Sequence, residues 1–246
     1  MPDLLLRFSL TESHLHTIHP LAFHAAPHLL SVKLSSNNLT SIPARVFSPL
    51  VDLEQLYLDE NEIETIASKM FEGLSRLLYL DLNRNKIVSL PSDAFHGLTN
   101  LTFLNLGENS LKELPPTIFS SLSSLQYLML YKNELSPQVF YNMPKLNKLT
   151  IYKNPLLSLP DDLMGHILLG LTYLDLRMNS LRTLPGDIFS SNRGLRALYL
   201  SDNPWDCTCR IRGIARWIWL NSDTDGINVL GPFSDSFYSF TSFILK

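Results

Sequence analysis

The most reactive groups in the chain are the thiols of Cys207 and Cys209, two residues apart and the only cysteines in 246 residues. A bond between such close neighbours is strained, because a disulfide needs a defined separation and dihedral. A zinc site would need two further ligands, and no Cys or His follows them. Both thiols are therefore expected to be unpaired, and no metal is expected there. Five of the seven histidines, His14, His16, His19, His24 and His28, crowd the first thirty residues. Their spacing does not bring them to one face as metal ligation requires, so they read as solvated turn residues. The sequence has no Gly-x-Ser-x-Gly elbow, no phosphate-binding glycine loop and no His-Glu-x-x-His. Catalysis and a cofactor are not expected.

The chemistry that does recur is hydrogen bonding by asparagine. Asn37, Asn61, Asn85, Asn109 and Asn133 follow one another at 24 residues, and Asn154, Asn179 and Asn203 continue the series. Each stands in one frame of apolar residues, seen in Leu77, Leu80, Leu82, Asn85, Ile87, Leu90 and Pro91. A carboxamide offers two donors and an acceptor. It can satisfy the backbone groups that lose their ladder partners where a chain leaves a strand. The asparagines are therefore read as structural rather than ligand-binding.

Units opening at Leu5, Leu29, Leu53, Leu77, Leu101, Leu125, Leu146, Leu171 and Leu195 position these groups. The apolar pair at unit positions 4 and 6 has period two, which predicts a short strand with one face inward. Successive strands should stack in parallel, and the longer return path on the other side makes the stack curve with its strands on the concave face. Phe23, Phe47, Phe71, Phe95, Phe119 and Phe189, with Met164 replacing one, should fill the far side of each coil. The unit from Leu125 is three residues short and has Pro137 and Pro144 in its return path, which predicts a local change of curvature or a deletion tolerated on the convex side.

A period of this length in this frame is the signature of a repeat solenoid. The residues resemble the extracellular "typical" leucine-rich repeat family, with its 24-residue unit and phenylalanine column. The resemblance implies an α/β solenoid, a leucine-rich repeat horseshoe with a parallel concave β-sheet and a mostly irregular or short-helical convex side. Asn203-Pro204-Trp205-Asp206-Cys207-Thr208-Cys209, then Arg210, Arg212 and Trp217, is similar to the opening of the cysteine-rich C-terminal cap of secreted and cell-surface members. That cap carries four cysteines in the family, and the two expected downstream are missing here. The organisation expected is repeats over 1–202 (about nine), the start of a cap over 203–221 and an atypical tail over 222–246. The missing cap cysteines, and a chain that starts inside a unit, imply a shortened version of a longer secreted or membrane-tethered protein.

Period two also says what the concave face carries. Tyr79, Phe103, Tyr127 and Tyr173 occupy position 3 of their units, and Tyr131 and Tyr152 occupy position 7. Aromatic residues on a rigid sheet are the anchors that protein interfaces use, so these six are the candidate partner-binding residues. Position 8 is acidic early (Glu12, Glu60, Glu108), whereas Lys132, Lys148, Lys153 and Arg177 lie later, which suggests a charge gradient that orients a partner. Asn38-Leu39-Thr40 and Asn100-Leu101-Thr102 are glycosylation sequons that matter if the chain is secreted.

The composition agrees with a binding role. The net charge is −3, which argues against nucleic acid or an anionic membrane as the main partner. No apolar run approaches the ~18 residues of a membrane span, and Leu4-Leu5-Leu6 is too short for a secretion signal. The function expected is a non-enzymatic extracellular scaffold that recognises a protein ligand or receptor through its concave face. An innate immune pattern-recognition ectodomain and, more remotely, an intracellular repeat scaffold are the alternatives.

Overall fold

The computed structural model describes residues 5–135, 143, 145–159, 170–185, 187–206, 212–222 and 228–230. Nine strands of three residues each recur along the units: β1 (Arg7–Ser9), β2 (Ser31–Lys33), β3 (Gln55–Tyr57), β4 (Tyr79–Asp81), β5 (Phe103–Asn105), β6 (Tyr127–Met129), β7 (Lys148–Thr150), β8 (Tyr173–Asp175) and β9 (Ala197–Tyr199). A helix, α1 (Arg212–Ser222), and a strand, β10 (Asn228–Leu230), follow. All ten strands form one parallel sheet in chain order, the arrangement of a horseshoe solenoid.

Each strand occupies unit positions 3 to 5 and pairs with the equivalent residues of the next, as Leu56 with Leu80 and Leu80 with Leu104. Leu5 of the first unit is exposed, whereas from Leu29 onward the side chains at positions 1, 4 and 6, such as Leu53, Leu56 and Leu58, are buried. They face a second column formed by Phe23, Phe47, Phe71, Phe95 and Phe119, where neighbouring rings such as Phe95 and Phe119 lie 6.4 Å apart. Burying one such side chain contributes roughly 1.5–3 kcal/mol before ordering entropy is counted. The return path is a run of tight turns rather than helix. Val46 N–H donates to Pro43, Ser48 to Arg45 and Leu50 to Phe47, and the pattern repeats one unit later at Met70, Glu72 and Leu74. Met164, Pro137 and Pro144 lie outside the described residues.

The asparagines join the coils as their chemistry predicts. The Asn109 amide donates to the carbonyls of Leu106 in its own coil (3.1 Å) and Leu82 in the coil before (3.0 Å), and its oxygen accepts from Ile87 N–H (3.0 Å). Asn61, Asn85 and Asn133 make the same three bonds in their places. The residue just before each ladder position takes a left-handed backbone, from Glu12 to Asp202, with φ between 51° and 58° in all nine units. None of the nine is glycine, so a strained conformation is held in every coil by the bonds around it.

The short unit leaves the sheet intact. Tyr127, Leu128 and Met129 pair with Lys148, Leu149 and Thr150 in unbroken register, so the three missing residues are absorbed in the return path. At the far end Ile214, Ala215 and Ile218 of α1 are buried, and Trp217 sits 4.9 Å from Phe189, prolonging the aromatic column past the last coil. The sequence reading placed no strand in the tail, yet Asn228 pairs with Ala197, 31 positions earlier. The helix lengthens this crossover, so a 24-residue ruler passes over it.

Candidate functional site

Side chains at positions 3, 5 and 7 project from the concave sheet, and the structure sorts their aromatics into two runs. The first follows successive strands: Tyr57 to Tyr79 (4.8 Å between ring centroids), Tyr79 to Phe103 (4.4 Å, nearly parallel) and Phe103 to Tyr127 (6.3 Å). The second holds Tyr131 stacked on Tyr152 at 5.0 Å, and Tyr173 against Tyr199 at 5.0 Å. The six aromatics named from the sequence thus share one face but not one cluster. Lys148 takes the position between Tyr127 and Tyr173 and separates the runs. Stacking leaves most of these rings half-buried, with Tyr127 the exposed one at 39%.

Tyr57 and Tyr199 extend the two runs, although neither was among the residues singled out from sequence. Cations are seated on the rings as well. Lys33 lies over Tyr57 (4.8 Å), Lys148 over Tyr173 (4.2 Å), and Arg177 faces both Tyr152 (5.7 Å) and Tyr199 (4.9 Å). Such contacts contribute ~0.5–1 kcal/mol each at exposed sites and hold long side chains in fixed directions.

Tyr131 has a special seat. Its ring lies flat over Gly107, where a methyl group would come within 2.5 Å of the ring carbons. Its hydroxyl accepts from the Asn83 side-chain amide at 2.8 Å, two coils away. Burial raises the Tyr131 phenol above its usual range. Tyr131 is thus held in one orientation on the face.

The rings roof over a polar layer on the same face. Asp81, Asn105, Thr150 and Asp175, all at position 5, are buried. Three of them accept the N–H two residues on: Asp81 from Asn83, Asn105 from Gly107 and Asp175 from Arg177. Asp175 also holds the Arg177 guanidinium through two bonds of 2.9 and 2.6 Å. The Thr150 hydroxyl is buried without a hydrogen-bond partner among the described residues.

Burial lifts the Asp81 carboxyl above its ordinary 3.8, although the Asn83 N–H pulls it down; Tyr79, which donates to Asp81 at 3.0 Å, is itself raised by burial and by that carboxylate. Burial and the Asp175 charge push the Tyr173 phenol up to about 12. Between 3.8 and its raised value the folded Asp81 keeps a proton that the unfolded chain has released, so stability falls as pH rises through that window. Asp81→Asn keeps the acceptor for Asn83, as Asn105 does for Gly107, and removes the buried charge. The variant should melt higher than the parent at pH 7, with the gain shrinking toward pH 4. An equal or lower melting temperature at pH 7 would show that the carboxylate is compensated.

The expected charge gradient is modified by pairing. Along position 8 Glu60 binds Arg84 (2.6 Å), Arg84 reaches Glu108 (3.4 Å), and Glu108 binds Lys132 (3.1 Å). The Ser36 hydroxyl and then Arg84 hold Glu60 below the ordinary carboxylate range. Exposed pairs of this kind contribute ~0–1 kcal/mol each, so the ladder mainly fixes side-chain directions. No carboxylate continues the ladder at Lys153.

The five histidines do not gather, and no group of three or more candidate metal ligands occurs among the described residues. His28 instead bonds Asp52 (2.9 Å), which also binds Arg76 (2.6 Å), on the return path. Cys207 and Cys209 lie outside the described residues. Asn100 is exposed, its amide donating to Ser75, whereas Asn38 is half-buried and donates to Glu62. No helix among the described residues is long and apolar enough to cross a membrane.

Comparison with known proteins agrees with this architecture. A family model described as leucine rich repeat matches residues 4–63, 52–111, 104–156 and 144–204. A stretch of 51 residues, 21% of the chain, is 41% identical to immunoglobulin superfamily member 10 of Mus musculus and 39% identical to that of Rattus norvegicus. The match spans 2% of the length of those relatives. Among solved structures, an octameric complex of latrophilin 3, Unc5D and the leucine-rich repeats of FLRT2 contains a similar chain. The likeness has a TM-score of 0.84 at 25% identity and covers 94% of this chain and 71% of that one.

Proposed function

We propose that this chain, which belongs to the leucine-rich repeat family, is a non-enzymatic extracellular scaffold that recognises a protein ligand or receptor through its concave face. The observation that carries this reading is the concave surface itself, where Tyr79, Phe103, Tyr127, Tyr131, Tyr152 and Tyr173 are held by stacking on a rigid sheet. Rigid aromatics lose little conformational freedom on binding, which is why they serve as interface anchors. The similar repeats of FLRT2 occur in a complex with two other proteins, which supports a protein partner. No second reading is favoured by a particular feature of the site.

The extracellular assignment rests on the resemblance of residues 203–209 to a secreted cap and on the kind of proteins the chain resembles. The domain organisation we adopt remains repeats over 1–202, a cap opening over 203–221 and a tail over 222–246. Display of the chain to a panel of extracellular protein domains tests the function. Saturable binding by at least one domain, competed by the unlabelled chain, is expected, and no binder across a broad panel would count against it.

Glycosylation gives a separate check. An acceptor must enter an enzyme's active site as an extended segment, so the exposed Asn100 is the better substrate than the half-buried Asn38. Secreted material should carry a glycan on Asn100, read by a mass loss on glycosidase treatment that Asn100→Gln abolishes. A glycan on Asn38 alone would reverse that ranking.

A further inference from the structure

The position 8 ladder alternates charge through Glu60, Arg84, Glu108 and Lys132, and each member has a partner of opposite sign. At the next unit the alternation fails. Lys153 follows Lys132 with its side chain exposed, and no ion pair reaches it among the described residues. Five residues earlier Lys148 is fixed over the Tyr173 ring, likewise without a carboxylate. The nearby acids are already engaged, Asp175 with Arg177 and Glu108 with Lys132 and Arg84. Both lysines flank the stacked Tyr131 and Tyr152. This stretch of the face combines aromatic surface with uncompensated positive charge.

We propose that the concave surface around Lys148, Lys153, Tyr131 and Tyr152 receives an acidic segment of the protein partner, an inference that rests on the concave-face reading above. Carboxylates of such a segment meet the two ammonium groups, and its apolar atoms cover the tyrosine pair. The early half of the groove explains why a protein fits better than a uniform polyanion. Asp59, Glu60, Asp81 and Glu108 outnumber Lys33 and Arg84 there, so a chain of sulfates or phosphates laid along the face meets repulsion. A protein that is acidic only where it meets the later strands does not. Attraction between such groups is screened within about 8–10 Å at physiological salt, so the interaction must weaken as salt rises.

The probe is a fluorescein-labelled octapeptide of alternating glutamate and tyrosine, titrated with the full chain and followed by anisotropy at low and physiological salt. Saturable, salt-sensitive binding is expected, and Lys148→Glu with Lys153→Glu should weaken it about tenfold or more, a free-energy change of at least ~1.4 kcal/mol. The matched control, Lys86→Glu with Lys112→Glu on the return path, should leave it within about twofold. If the double charge reversal fails to fold, Lys148→Gln with Lys153→Gln replaces it, and a loss of severalfold is then the supporting result. Equal weakening by both pairs, or no saturable binding, overturns the inference. So does heparin that binds more tightly than the peptide and depends on the same two lysines, because the lysines would then read a polysaccharide. If Tyr131→Ala or Tyr152→Ala weakens the peptide while the lysine exchange does not, the acidic-segment inference fails and the concave-face reading stands.

Discussion

Asn109→Ala is expected to destabilise the chain by about 2–4 kcal/mol, since it strands the Ile87 N–H in a buried layer at ~1–3 kcal/mol and takes one of two donors from the Leu82 and Leu106 carbonyls, which keep only Asn85 and Asn133. Water cannot readily replace the amide, because Leu82, Leu106 and Ile87 are themselves buried in the core. The damage should spread, since each carboxamide ties its coil to the preceding one and stability in a stacked array passes from neighbour to neighbour. Asn109→Asp is the sharper variant. Its oxygen still accepts from Ile87, but a carboxylate facing three carbonyls loses every donor. Its carboxyl would be forced above the usual range in the folded state, so stability should fall as pH rises through that range and partly recover in acid. Chemical denaturation at pH 4 and pH 7 reads both effects. An Asn109→Asp chain as stable as its parent at pH 7 would mean that the ladder is not the joint described.

Gly107→Ala is expected to expel Tyr131 from its seat. The added methyl would stand 2.5–2.8 Å from three ring carbons, so the ring must lift and release both the Asn83 bond and the stacked Tyr152. Forced displacements of this kind cost typically ~1–3 kcal/mol. In a Tyr131→Ala background the three ring atoms nearest the added methyl are gone, so the Gly107→Ala cost should fall sharply and the double-mutant cycle should show strong coupling. Additive effects would place the clash elsewhere. Since Tyr131 and Tyr152 are proposed anchors, Gly107→Ala should also weaken partner binding without touching the partner directly.

The repeat frame carried the architecture because each of its positions has a single physical duty. Leucine at 4 and 6 sets the strand, asparagine at 9 closes the turn, and phenylalanine fills the far side. Those duties recur in every coil, so Leu80, Asn85 and Phe95 could be placed from sequence alone. The concave face was harder. Period two says that Tyr79 and Asp81 share a side, but not that Tyr79 lies down over the carboxylate and buries it. Which way a ring leans depends on side chains one coil away, as with Tyr131, whose room comes from Gly107. That signal was present, since Gly107 is the one glycine in its column and stands 24 residues before Tyr131. The pairing of Glu60, Arg84, Glu108 and Lys132 was similarly hidden in a row that reads as a simple gradient. β10 escaped for a different reason, because α1 breaks the period that served as the ruler.

The most direct measurement is the affinity of a partner found by panel screening for four chains: the parent, Tyr127→Ala, Tyr152→Ala and Val88→Ala. Val88 is half-exposed on the return path and Tyr127 is the most open aromatic of the concave face, so the set separates the two sides of the horseshoe. Losing a buried aromatic anchor typically costs 2 kcal/mol or more, so Tyr127→Ala and Tyr152→Ala should each weaken binding about tenfold or more, with melting curves still cooperative. Val88→Ala should bind like the parent. Unchanged affinity in both tyrosine variants, or a loss confined to Val88→Ala, would contradict recognition through the concave face.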